Sequence, residues 1–287
     1  MTRFARRWNI PVFALALFAF TGCEMATSAY QTYQGHKAES AGRIDEAIRH
    51  YSAAIDATPK VAEAYVTRGG AYSLKGDYES ALADFSRAIE LVPGNSVYHF
   101  NRGNAYMGLR RPAEAIVEFS RAIELNSAGI GAIRRRGLVY FQTSRYPEAR
   151  ADFVQVLALN PEDVFAPVWL YLVSARSGDP DASLLTGPLE KGKTGPWADK
   201  VYGLFLDTLS PQAFEESVLK NEDREQYDLD ERLSEAHFYI GQYHLIRGDK
   251  DKARRAFLKA TDTGPLGIYE YLAASAELSA LESASPQ

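Results

Sequence analysis

"AEAYVTRGGAYSLKGDYESALADFSRAIELVPGN", Ala62 to Asn95, is followed by two segments of the same length that repeat its pattern. These are "SVYHFNRGNAYMGLRRPAEAIVEFSRAIELNSAG" from Ser96 and "IGAIRRRGLVYFQTSRYPEARADFVQVLALNPED" from Ile130, a period of 34 residues. Several positions recur together. Gly69, Gly103 and Gly137 are each followed three residues later by Tyr72, Tyr106 and Tyr140, and further on come Ala81, Ala115 and Ala149, then Phe85, Phe119 and Phe153. This is helical spacing, not strand alternation. Small residues let the two helices of a pair approach, aromatic rings fill the seam between them, and each pair leaves an apolar face that only a stacked neighbour can cover.

The pattern resembles the tetratricopeptide repeat, a helix-turn-helix unit of this period. A degenerate unit precedes the three, with Gly35, Gly42, Ala47, Tyr51, Ala54 and Pro59 in register, and a sharper one follows late, with Gly241, Gly248, Ala253, Phe257, Ala260 and Pro265. The expected fold is all-α, a tetratricopeptide-repeat helical solenoid with a degenerate middle segment and a C-terminal capping helix from about Tyr269 to Leu281. The domain reading is a signal peptide at 1–22, a tether at 23–30, repeats 1 to 4 at 31–163, atypical helices and loops at 164–233, and a final repeat, capping helix and short tail at 234–287. In the middle segment "SGDPDASLLTGPLEKGKTGPW" reads as a loop because glycine and proline break helices. "EESVLKNEDREQYDLDER" holds eight acids against three bases and reads as a solvated face or linker, with an acidic recognition strip as the alternative.

Composition bounds the function. With 46% hydrophobic and 24% charged residues the chain can bury a core. Its net charge is −5, and loss of residues 1–22 with Arg3, Arg6 and Arg7 would make it −8, a surface that repels nucleic acid. Cys23 is the single cysteine, so neither an intramolecular disulfide nor a cysteine-based zinc site can form.

That cysteine closes an N-terminal pattern. "MTRFARRWN" is basic, and Ile10 to Phe20 is an apolar run about half the ~20 residues a spanning helix needs. Thr21-Gly22 before Cys23 resembles the bacterial lipoprotein signal, in which the thiol is acylated and becomes the mature N-terminus. Phe20 departs from that pattern, which prefers leucine there, and an ordinary secretory signal cut near Thr27-Ser28-Ala29 is the alternative. Glu24 bears on inner against outer membrane, and the outer membrane, facing the periplasm, is the expected location.

"PVWLYLVSAR" (167–176), "VYGLFLDTLS" (201–210) and "LSEAHFYIGQYHLIRGD" (233–249) resemble segments of the NlpI-type periplasmic repeat lipoproteins. The likeness covers the C-terminal half; the N-terminal half matches only generic repeats, and the family's dimerising N-terminal helices are not recognisable here. It implies a homodimeric, outer-membrane-tethered adaptor that brings cell-wall hydrolases to a PDZ-containing protease. A structural lipoprotein of an envelope machine, a secretin pilotin or an outer-membrane assembly subunit, is the alternative.

No HExxH, Walker-type GxxxxGK[ST] or GxSxG motif occurs, so no enzyme activity, metal or cofactor is expected. His237 falls on the repeat position that faces the helix partner and His244 on the one usually filled by tyrosine, and both read as core or seam histidines, not ligands. Binding is expected instead on the inner face of the first helices of the repeats. The residues there are Phe100, Asn101, Asn104 and Met107 from one repeat and Arg134, Arg135, Leu138 and Phe141 from the next. Apolar, amide and guanidinium groups together suit an extended peptide from a protein partner. The set partly resembles the carboxylate clamp of chaperone-binding repeats, but Val66, Gly70 and Leu138 stand where the clamp places lysine, asparagine or arginine. The competing reading is that Phe100 and Phe141 merely pack between repeats and the arginines are solubilising.

Overall fold

The computed structural model describes residues 12–190, 192, 194–220, 229–263 and 269–283, with side-chain surroundings from Cys23 on, except Thr263, Tyr269 and Glu270. Every regular element among them is helical. The chain divides into two compact units, Met1–Gly94 and Asn95–Gln287. The first holds α1 (Val12–Ser40), α2 (Ile44–Ala57), α3 (Ala62–Lys75) and α4 (Tyr78–Leu91). In it α1 pairs with α2, α3 pairs with α4, and α2 stacks on α3. The second begins with α5 (Ser96–Gly108), α6 (Pro112–Leu125), α7 (Ile130–Gln142) and α8 (Tyr146–Leu159), followed by α9 (Ala166–Arg176), α10 (Ser183–Glu190), α11 (Pro196–Phe205) and α12 (Pro211–Leu219). It ends with α13 (Leu229–Ile246), α14 (Lys250–Thr263) and α15 (Tyr269–Ser283).

The glycines do the work their spacing implies. A Cβ at Gly69 or Gly103 would lie 2.7 Å from the ring of Phe85 or Phe119, and one at Gly35 or Gly241 would lie 2.3 Å from Tyr51 or Phe257. No side chain fits at such distances without moving a fully packed ring. The turn inside each repeat needs a left-handed residue, supplied by Gly42 and Gly76 in the first unit and by Gly248 in the second. Arg110 (φ 55°) and Ser144 (φ 58°) occupy the same turn position, and there a side chain is strained. The turn itself is unchanged: Arg145 N–H donates to Tyr140 O at 2.8 Å as Asp77 N–H does to Tyr72 O at 2.9 Å.

A polar ladder with the same period crosses each helix pair. Arg68 donates to both oxygens of Asp84 at 2.8 Å and to Ser52 at 3.1 Å. Arg136 repeats this with Asp152, at 2.9 and 2.7 Å, and with Ser120 at 3.0 Å. Between α5 and α6, Arg102 donates to Glu118 at 2.7 Å, and His99 Nδ1 lies 2.9 Å from the other carboxylate oxygen. Asp84, Glu118 and Asp152 are buried, so each guanidinium supplies the partner without which its carboxylate could not leave water.

One expectation about the middle segment is corrected. Part of the stretch read as loop is α10, formed despite Gly187 and Pro188. Asp181 accepts from Ser183 N–H at 3.0 Å at its start, and Leu185 is fully buried, so capping and burial outweigh the breakers. Pro188 sits near the end of this short helix, where only one backbone bond is forfeited. Of the acidic stretch, residues 221–228 lie outside the described residues; Glu215, in α12, is paired with Lys259 at 2.8 Å and with His237 at 3.0 Å.

Candidate protein-binding surface

The surface expected from sequence lies on α5 and α7, both in the second unit, and the structure separates its residues into two groups. Phe100, Asn101, Asn104 and Met107 on α5 are half-buried. Phe100 packs its ring 5.8 Å from that of Phe119 and borders a shallow apolar cleft of about 160 Å³ with Val97, Ala122, Gly129 and Ala132. The Asn104 amide oxygen is out of water and accepts no hydrogen bond. A buried acceptor without a donor is costly, by about 1–3 kcal/mol, and the cost is recovered when an N–H group reaches it.

Three of the four α7 residues are committed elsewhere. Leu138 and Phe141 are 5% and 3% exposed and belong to the main core of the second unit. Phe141 packs edge-on against Trp169 at 5.4 Å. Packing between elements, and not ligand contact, is therefore what these two side chains do. Arg134 forms an ion pair with the buried Asp163, whose carboxylate also accepts from Phe165 N–H at 3.0 Å and Ala166 N–H at 2.8 Å to start α9. Arg135 is half-buried.

Sequence reasoning missed what closes this face. α15 packs on α13 and α14 and also touches α7. Its Glu277, 8% exposed, accepts from Arg176 at 2.7 Å and from Gln242 at 2.8 Å, and the Arg176 guanidinium lies 5.6 Å over the Phe141 ring. Burial opposes the charge on Arg176, but Glu277 outweighs it and its pKa is raised. The signal was an acid set in the small and apolar middle of the helix, "YLAASAEL". What stays open beside α15 is a cleft of about 240 Å³ bordered by Met107, Arg110, Gln142, Thr143, Leu272 and Ser275.

The histidines are structural in placement. His237 is buried against Glu215, and burial holds its pKa below the ordinary value despite that carboxylate; His244 is half-buried with its pKa lowered by the same cause. Among the described residues no three metal-ligating side chains converge.

The tetratricopeptide repeat pattern matches residues 34–96, 96–128 and 131–163. A solved tetratricopeptide repeat protein from Parabacteroides merdae superposes with a TM-score of 0.60 at 16% identity, over 90% of this chain and 99% of that one. MamA from Desulfovibrio magneticus RS-1, residues 41 to the end, gives 0.54 at 18% identity over 58% of this chain and 96% of its own. A further MamA structure gives 0.52 at 24% over 55% and 94%. These likenesses establish the fold, an all-helical tetratricopeptide-repeat architecture.

Proposed function

We propose that this protein is a lipid-anchored adaptor of the bacterial envelope, facing the periplasm from the outer membrane. It binds a protease, a cell-wall hydrolase or both and controls hydrolase turnover without chemistry of its own. The observation that carries the binding part is the unpartnered, buried amide oxygen of Asn104, one helical turn from Met107 at the mouth of the cleft beside α15. An extended chain can give that oxygen a backbone N–H while an apolar side chain enters the cleft. Phe100, Asn101 and Arg135 complete the surface, while Arg134, Leu138 and Phe141 hold it in place.

Support for anchoring is Cys23, exposed and alone, after a short apolar run. Two or three acyl chains at about 0.8 kcal/mol per buried methylene hold a protein firmly on a bilayer. The envelope setting and the protease partner rest on the resemblance of the C-terminal half to NlpI-type lipoproteins. An adaptor acts by effective concentration, which strengthens an encounter by roughly 10²- to 10⁴-fold with no new catalytic group.

The test is a reconstituted digestion with protease, hydrolase and either the natural protein or Asn104→Lys with Met107→Ala. The natural protein is expected to accelerate hydrolase loss, and the variant, folded by circular dichroism, to have lost that effect. Equal rates with and without the natural protein would remove the adaptor reading. Equal stimulation by the variant would move binding off α5.

A further inference from the structure

The first helix turns one face outward, and that face carries aromatic rings exposed to water. Here Cys23, Ala26, Tyr30, Tyr33 and Lys37 are all exposed, with Tyr30 at 59% and Tyr33 at 64%. Their spacing of three, four, three and four puts them on one stripe of α1 about 21 Å long.

The helix cannot turn this stripe away, because its opposite side is fastened to α2. Ser28 hydrogen-bonds Thr58 at 2.7 Å, Gln31 lies 2.7 Å from His50 Nδ1, and Tyr51 donates to Glu39 at 2.5 Å. Ala38 is buried against Ala47 and Tyr51 on that side. The direction in which Cys23 and the two tyrosines point is thus set by the packing of the first unit.

We infer that this face of α1 lies along the bilayer surface, with the rings of Tyr30 and Tyr33 at headgroup level, so that the lipid anchor holds the first unit in a fixed orientation. This placement deepens the proposed lipid attachment at Cys23 and rests on it for the identity of the occupant. An acyl chain leaving Cys23 leaves from the same stripe as the tyrosines. Tyrosine suits the interface because its ring is apolar and its hydroxyl stays wet. Charge agrees along the stripe itself: none of its five residues is a carboxylate, the half-buried Glu24 beside Cys23 lies off it, and Lys37 closes it in a chain of net charge −5. A cation there is drawn to anionic headgroups, which the acidic remainder is not.

The experiment uses the full chain expressed with its own N-terminus, carrying Tyr30→Trp, Tyr33→Trp or, as a control on α3, Leu74→Trp. Leu74 is 58% exposed in the same unit. Protein extracted from membranes is reconstituted into phosphatidylethanolamine and phosphatidylglycerol vesicles with or without brominated acyl chains; any soluble fraction is mixed with the same vesicles. Tryptophan at 30 and at 33 should shift to the blue and be quenched by bromine severalfold more than at 74. Quenching at 30 and 33 no greater than at 74 overturns the inference. A blue shift that bromine does not touch also overturns it, because a second copy of the chain then covers the face. Mass measurement of the N-terminal peptide reports the lipid separately. Acylated Cys23 without quenching removes the orientation and keeps the anchor, whereas quenching without acylation does the reverse.

Discussion

The pairs α5–α6 and α7–α8 and the helices α9 to α13 belong to one compact unit but are held by different means. In the pairs one arrangement is used twice: glycine against phenylalanine, alanine in the seam, and an arginine reaching across to a buried acid. Across α9 to α13, apart from the Gly241–Phe257 seam that α13 makes with α14, the contacts do not repeat. Trp169 stacks on Phe153 at 5.8 Å, meets Phe141 edge-on and packs 5.7 Å from Phe238, which in turn packs 6.2 Å from Phe257. Stability in a repeat is local and divided among neighbours; in the aromatic core it passes through a few side chains that each touch several helices.

The comparison fails first if Trp169 is dispensable. Trp169→Ala removes a side chain that is 4% exposed and joins α7, α8, α9 and α13. It should cost about 3–5 kcal/mol in urea unfolding. Loss of near-ultraviolet ellipticity should spread beyond α9. A cost comparable to that of a surface substitution would mean the C-terminal helices are held as locally as the repeats.

Next in size is a rung of the ladder. Asp152→Ala leaves the Arg136 guanidinium, 20% exposed, without its two charged bonds and should cost about 2–4 kcal/mol, below a fully buried pair because water reaches the arginine. Replacing both, as Arg136→Met with Asp152→Leu, should recover most of that loss. If the double variant is as unstable as the single one, the ladder supports packing by more than mutual neutralisation.

The repeats and the aromatic core were unequally legible in the sequence. Gly103 and Phe119 announce their contact by recurring at a fixed distance in three units, and the structure places them together for that reason. Arg102 and Glu118 recur just as regularly, as do Arg68 and Asp84 or Arg136 and Asp152, but charges on amphipathic helices read as solvent-facing unless the period is followed through them. Phe141 shows the opposite limit. Its position in the repeat points to the inner face, and nothing local tells that Trp169 and Arg176 will cover it. Glu277 reaches Arg176 across 101 residues, a contact made only once the intervening helices are stacked. Asn104 was legible as a surface residue, but its lack of a partner is a property of the folded chain alone.

A smaller effect separates the two regions by pH. Burial keeps the His237 pKa below its ordinary value of 6.5, so as pH falls through that value the unfolded chain takes up a proton that the folded chain refuses. More protons on the unfolded side mean stability falls with falling pH, from about 6.5 down to the lowered folded pKa. Glu215 behaves in a lower window. Burial works against its charge, but the bonds from Lys259 and His237 prevail and its pKa is lowered from 4.5, so its contribution is present at neutral pH and lost below that value. Urea unfolding at pH 7.5 and 5.5 should show the drop in the natural chain and a shallower one in His237→Gln. An unchanged slope would place the titrating group elsewhere, with His244 the next to replace.

The smallest expected change runs toward greater stability and tests the repeats at their turns. Ser144 holds a left-handed backbone at φ 58° where Gly76 and Gly248 hold the same turn at 82° and 78°. A Cβ in that conformation costs roughly 1–2 kcal/mol, while glycine gives part of this back through the extra freedom of the unfolded chain. Ser144→Gly should therefore stabilise by about 0.5–1 kcal/mol, and the Arg145 N–H to Tyr140 O bond that closes the turn is unaffected. Arg110→Gly should gain similarly from the backbone, but it also strips an exposed cation from the rim of the cleft beside α15. The two variants consequently part company on function: equal gains in unfolding midpoint, with partner binding weakened only in Arg110→Gly, are expected if that rim contacts the partner. Equal binding by both would confine Arg110 to its turn.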